Sequence, residues 1–419
     1  MNGRVRHPLL SALGPGVLFT GAAVGVSHLV QSTRAGARYG LALLSLVLLA
    51  NLVKYPAFRF GSMYAAATGT SLLEGYRRQG RWALGLYLVL TLGTMFTVAA
   101  AVTVVTAGLA KTLLGLDATP VVISGVLLVI SAALVGTGGY RALDGIGKAV
   151  VSLLALTTLV ATALVLPRLD LSGPLLPPVA PTARDLAFMV ALFGWMPSAI
   201  DVAVWQSVWT VARTKQTGAK SSASAAVDFH VGYIGTALLA VCFVLLGAGV
   251  LHGQGVEIEA RPGAFAAQLI ALYTDALGGW SRPLIGVAAF ATMVSTTLTV
   301  IDGFPRALSV LAARFRGPPE PAERADRTPV YWGALLLLVL GAWVVLAFLA
   351  GSMRTLIDLA TSLSFLSAPL LAWLNHRVMQ DDAVPAEERP SRALTAGSVA
   401  GIVFQGVFAI GFLLLLILT

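Results

Sequence analysis

The chain has 419 residues, of which 57 % are hydrophobic and 11 % charged, with mean hydropathy +0.84 and a formal charge of +9. A soluble domain carries about 25 % charged residues, so an ordinary globular enzyme and a disordered tail are both excluded, and a polytopic membrane protein remains. One cysteine rules out a disulfide framework, and five scattered histidines rule out a compact metal motif such as HExxH.

A bilayer core needs about 20 apolar residues per helix. Eleven stretches meet this, at 12–37, 41–63, 83–113, 119–139, 146–167, 185–212, 223–251, 283–312, 329–351, 354–376 and 394–418. The first follows Arg4 and Arg6 but has no small-residue cleavage site, so it reads as a helix and not as a signal peptide. A cytoplasmic N-terminus puts about 18 Lys/Arg inside against about 8 outside, among them Arg77, Arg78, Arg141, Lys220, Arg306, Arg324, Arg327 and Arg377. The basic balance therefore reports membrane insertion, and a nucleic-acid partner has no support. An odd number of spans leaves the C-terminus outside. The stretch 264–277 is too short to cross and is expected at the outer interface, and 315–328 is a Pro- and charge-rich inner connection.

The first span is not a smooth apolar run. GAAVGVSH puts Gly21, Gly25, Ser27 and His28 at mid-membrane, and His28, Gln31 and Ser32 share one helix face. His28 is either a transition-metal ligand or a ring bonded to a neighbouring carbonyl. The second span carries Asn51 and Lys54. Lys54 either snorkels to the inner surface or stands in for a cation in a site that binds no metal. Gly136–Lys148 superficially resembles a phosphate loop but lacks its spacing, and Asp144 with Lys148 reads as an interfacial pair.

The sixth span is interrupted as well. LFGWMPSAID places Gly194, Met196, Pro197, Ser198 and Asp201 at mid-membrane, and Pro197 removes a backbone donor and clashes with the preceding turn. Asp201 has no basic residue at i±3 or i±4. It is a candidate to neutralise a bound cation or carry a proton, and the alternative is a cap on free backbone amides. Asp228 and His230 in the seventh span are candidates for a proton path. In the eighth, Asp302 has Arg306 four residues on. In the tenth, Asp358 has Arg354 four residues upstream, so a structural ion pair competes with a site role.

Unwound backbone survives in a membrane only where it is buried or lines a polar cavity. Two interrupted helices five spans apart are the pattern of inverted repeats around a midplane ion site. The repeats are expected at about 12–167 and 185–376, with an extra helix at about 394–418.

LGPG at Leu13–Gly16, RAGARYG at Arg34–Gly40, ATGTSLLEGYRRQG at Ala67–Gly80 and WMP at Trp195–Pro197 resemble the NRAMP family of proton-coupled divalent metal transporters. The resemblance implies an all-α membrane protein with the leucine-transporter-type 5+5 inverted repeat and with helices one and six unwound. It also implies metal binding through an Asp-Pro-Gly-Asn motif in helix one and a Met-Pro-His motif in helix six. Those positions here read Gly25, Val26, Ser27, His28 and Met196, Pro197, Ser198, and a family glutamine in helix ten matches Asp358. The scaffold is kept and the ligand set is rewritten. The expected ion site is Gly25, His28, Gln31, Phe193, Met196, Ser198, Asp201 and Asp358, with His28, Met196 and Asp201 as metal ligands. The expected function is secondary-active, proton-linked transport of metal cations by alternating access in a bacterial inner membrane, with no resident cofactor. A transporter of a small organic solute on the same fold is the alternative. A polytopic membrane enzyme would need a clustered nucleophile and base, which the sequence does not offer.

Overall fold

A computed structural model of the chain describes residues 15–137, 140–170, 172–177, 181–217, 222–254, 258–317, 328–349 and 351–418. Leu13, Gly14, Lys220, Arg324 and Arg327, used above as motif or topology markers, lie outside the described residues, as do the side chains of Asp144 and Lys148.

The described residues form an all-α bundle. Helix one consists of α1 (Pro15–Ala23) and α2 (Thr33–Tyr39), joined by a wider π turn over Ser27–Ser32. Helix two is α3 (Leu44–Thr68), and a short α4 (Leu72–Gln79) follows it. Spans three to five are α5 (Arg81–Leu114), α6 (Pro120–Thr137) and α7 (Tyr140–Val165). Span six is split into α8 (Ala183–Gly194) and α9 (Asp201–Thr217), and span seven is α10 (Ser222–Val250). After α11 (Pro262–Leu277) come α12 (Ser281–Arg316), α13 (Pro329–Leu349), α14 (Met353–Val378) and α15 (Arg392–Leu418).

Eight of these helices are each long and apolar enough to cross a membrane: α5, α6, α7, α10, α12, α13, α14 and α15. The other three spans are the two split helices and α3, which carries Lys54 and Arg59 in its middle. These polar and broken spans pack in the interior together with α5, α10, α12 and α14. The two short elements run along the bundle's edges. α11 matches the stretch expected at the interface. α4, where no helix is expected from hydropathy, holds together because Glu74 in its first turn faces Arg77 and Arg78 in its last.

Lipid tails are as apolar as the side chains, so helices in a bilayer are held by close packing more than by water exclusion. A Cβ on Gly36 of α2 would lie 2.0 Å from the Val244 carbonyl oxygen of α10, and one on Gly247 would lie 2.3 Å from Thr33 O. The C-terminal half of helix one is thus in backbone contact with span seven. α6, α13 and α15 form the rim, with exposed Val129, Leu336, Phe348 and Val407 turned outward, as suits contact with acyl chains.

Candidate functional site between two broken helices

The two interruptions face each other. The Ser27 hydroxyl lies 3.4 Å from Pro197 O, and the Ser32 hydroxyl donates to Met196 Sδ at 3.8 Å. Helix one is interrupted only at Val24 and Gly25 before it rewinds as the π turn. Helix six is irregular for longer, from Trp195 to Ile200.

Several backbone carbonyls at the two breaks already have partners. On helix one, the Thr296 hydroxyl of α12 sits 3.0 Å from Gly21 O and 3.1 Å from Val24 O. Gly25 is needed there, because a Cβ would lie 2.9 Å from Thr296 Cγ2. On helix six, Lys54 Nζ donates to Phe193 O at 2.5 Å and to Gly194 O at 2.8 Å. Trp195 donates from its indole nitrogen to Ser364 Oγ of α14 at 2.8 Å and so pins the start of the break.

His28 is fully buried and both ring nitrogens are engaged. Nε2 lies 2.9 Å from Thr236 O of α10, and Nδ1 lies 2.8 Å from Ser27 Oγ. A carbonyl only accepts, so Nε2 carries the proton, and in the neutral ring Nδ1 is left as an acceptor facing the Ser27 hydroxyl, which also reaches Ala23 O at 2.8 Å. As a metal ligand, His28 would have to use Nδ1 and displace that hydroxyl. The carbonyl-bonded alternative described for this residue is the arrangement present.

Asp358 pairs with a residue the sequence does not suggest. Arg34 NH1 and NH2 contact its two carboxylate oxygens at 2.6 and 3.1 Å, and Gln31 Nε2 adds a bond at 3.2 Å. Gln31 also accepts from Arg34 at 2.8 Å. Arg354, the expected partner, turns instead to the Ile258 carbonyl. Helix spacing shows only neighbours on the same helix, whereas the fold brings Arg34 across from helix one. Lys54 does not snorkel, for its side chain is fully buried and aimed at helix six. Asp302 does take Arg306, through two bonds of 2.9 Å, and adds the Tyr331 hydroxyl. His230 bonds Tyr55 Oη at 2.7 Å, and Asp228 is buried two residues earlier on α10.

Asp201 differs from all of these. It opens α9, is 1 % exposed, and among the described residues neither carboxylate oxygen has a hydrogen-bond partner beyond its own residue. The half-helix N-terminus supplies partial positive charge but no counter-ion. Tyr87 and Thr91 are buried near each other on α5, and the Tyr76 and Tyr87 hydroxyls lie in the electrostatic field of Asp201. Ser198 is buried beside the break. Among the described residues, no cluster of three His, Cys, Asp or Glu side chains gathers to hold a metal.

The model of the Natural resistance-associated macrophage protein-like family matches residues 16–415. The chain belongs to that family. It is therefore an integral membrane transporter and not an enzyme. It is 33 % identical over 417 residues, 97 % of this chain and 93 % of the other, to an uncharacterised protein of Pasteurella multocida. A manganese transporter structure from Eremococcus coleocola superposes with TM-score 0.72 at 14 % identity, covering 98 % of this chain and 87 % of that one. A structure of MhsT in complex with L-phenylalanine superposes with TM-score 0.62 at 13 % identity, covering 96 % and 97 %. The fold is the leucine-transporter-type inverted repeat with helices one and six broken, as the two interruptions imply.

Proposed function

We propose that the chain is a secondary-active transporter of metal cations that works by alternating access, with the cargo held between the two breaks and neutralised by Asp201. The carrying observation is the buried Asp201 carboxylate with no partner at the start of α9. A charge so placed is costly in a membrane unless a proton or a cation meets it. Family membership and the manganese transporter's fold support the metal class.

The first helix supplies no acid, since Gly25, Val26, Ser27 and His28 occupy the motif. Arg34 consumes Asp358. With Asp201 as its carboxylate and His28 Nδ1 and Met196 Sδ as the other candidate donors, the site favours a softer or less highly charged ion than a carboxylate-rich site would. Proton linkage follows from the same residue, since Asp201 can hold a proton whenever the cation is absent. The two broken helices, one from each repeat of about 12–167 and 185–376, move against the scaffold of the other spans. The loop charge bias supports a cytoplasmic N-terminus, the odd number of spans then puts the C-terminus outside, and the family resemblance favours a bacterial inner membrane.

The test is uptake into proteoliposomes across Mg, Mn, Fe, Co, Ni, Zn and Cd, with and without an imposed pH gradient. Saturable uptake of at least one metal, lost in Asp201→Ala, supports the reading. A second reading, transport of a small organic solute, draws on the engaged state of His28, Asp358 and the helix-six carbonyls. Binding of none of the metals, with folded protein, would favour it.

A further inference from the structure

Lys54 lies mid-way along α3, with its side chain fully buried. Its ammonium contacts the last two carbonyl oxygens of α8, those of Phe193 and Gly194, and sits 5.1 Å from the centre of the Phe193 ring. Among the described residues no carboxylate lies within ion-pair distance of it.

A buried ammonium without a counter-ion needs another source of negative potential. The C-terminal end of a helix carries about half a negative charge on its unpaired carbonyls. The aromatic face adds a weaker attraction. In transporters of this architecture, half-helix C-terminal carbonyls coordinate small cations. Here Gly194 is held so that its carbonyl stays turned to α3: a Cβ on it would lie 2.1 Å from Thr361 O of α14, so the backbone is packed flush on that side. The site thus has rigid carbonyl oxygens, a negative helix end and a positive occupant fixed to the chain. Lys54 faces the carbonyl side of the helix-six break, and Asp201 opens the helix on its amide side.

We propose that Lys54 is a tethered cation. Its ammonium permanently fills a monovalent-cation site at the C-terminal end of α8, so that no free ion binds there. The cargo's charge is then met only on the Asp201 side. This inference does not depend on which solute is carried, and it is read out without transport.

The experiment measures melting of the purified full-length protein in choline, Na+, K+, NH4+ and methylammonium chlorides at one ionic strength. Wild type melts at the same temperature in all of them. Lys54→Ala melts lower in choline, and one or more of the small cations raises it saturably by a few °C, because an ion now enters the vacated site. Lys54→Gln, whose amide still donates to the carbonyls, folds with no dependence on the cation. A Lys54→Ala protein that melts like wild type in choline, or that gains equally from no cation, overturns the proposal. So does a Lys54→Ala protein recovered in none of the salts, whether Lys54→Gln folds or not, because no ion then replaces the side chain.

Discussion

Replacing Asp201 with alanine separates a cargo carboxylate from a helix cap. Asp201 is 1 % exposed and both oxygens lack partners. Removing such a group relieves a desolvation penalty of about 1–3 kcal/mol. Against this stand the small cavity, about 1 kcal/mol, and the lost interaction with the α9 terminus, about 0.3–1 kcal/mol. The cation-free variant should therefore be no less stable than wild type, or slightly more. The response to cargo is the larger effect. A ligand at 100 times its Kd stabilises wild type by about 2.7 kcal/mol. For a chain of this size, each kcal/mol moves Tm by roughly 1–2 °C, by extension of the trend for smaller proteins. Wild type should gain about 3–5 °C from the transported metal, and Asp201→Ala should gain nothing. Thermal melting of detergent-purified protein across the metal panel measures both. A variant that melts several degrees lower without metal yet keeps the full metal shift would make Asp201 a structural cap and refute the reasoning.

Asp358→Asn should leave metal affinity unchanged in equilibrium titration, because Arg34 already holds both of its oxygens. The same change should lower Tm, and Arg34→Met should cost less in that background than alone, with a coupling of about 1 kcal/mol, since the Asp358 side chain is 34 % exposed. Gly36→Ala, whose Cβ would fall 2.0 Å from Val244 O, should destabilise by about 1–3 kcal/mol or more. Gly235→Ala on α10, with nothing within 4 Å, should be neutral or stabilise by up to about 1 kcal/mol, and paired melts check both. His28→Gln removes the imidazole and should shift competition binding away from Zn and Cd toward Mn.

The hydropathy pattern carries the eleven spans, and the proline and glycines of LFGWMPSAID and GAAVGVSH mark where two of them break. These features are local, and a short window of residues decides them. The partners within the site are not local. Thr236 meets His28 across 208 residues, Lys54 reaches carbonyls 139 and 140 residues away, and Arg34 crosses to Asp358 over 324. Nothing in helix periodicity ranks these over Arg354, which sits at the correct spacing and goes elsewhere. One signal was available for Arg34, because an arginine in a membrane span requires an acid, and few acids lie at the matching depth. For Thr296, which satisfies the broken backbone of helix one, there was no such signal, since threonines abound in these helices.

The most direct measurement is anomalous density for a bound ion, Mn or Cd, in crystals of the wild-type protein. The account predicts one peak between the two breaks, within coordination distance of an Asp201 oxygen and on the opposite side of the helix-six interruption from Lys54. A peak at the Phe193 and Gly194 carbonyls with the Lys54 side chain displaced, or one remote from Asp201, would contradict it.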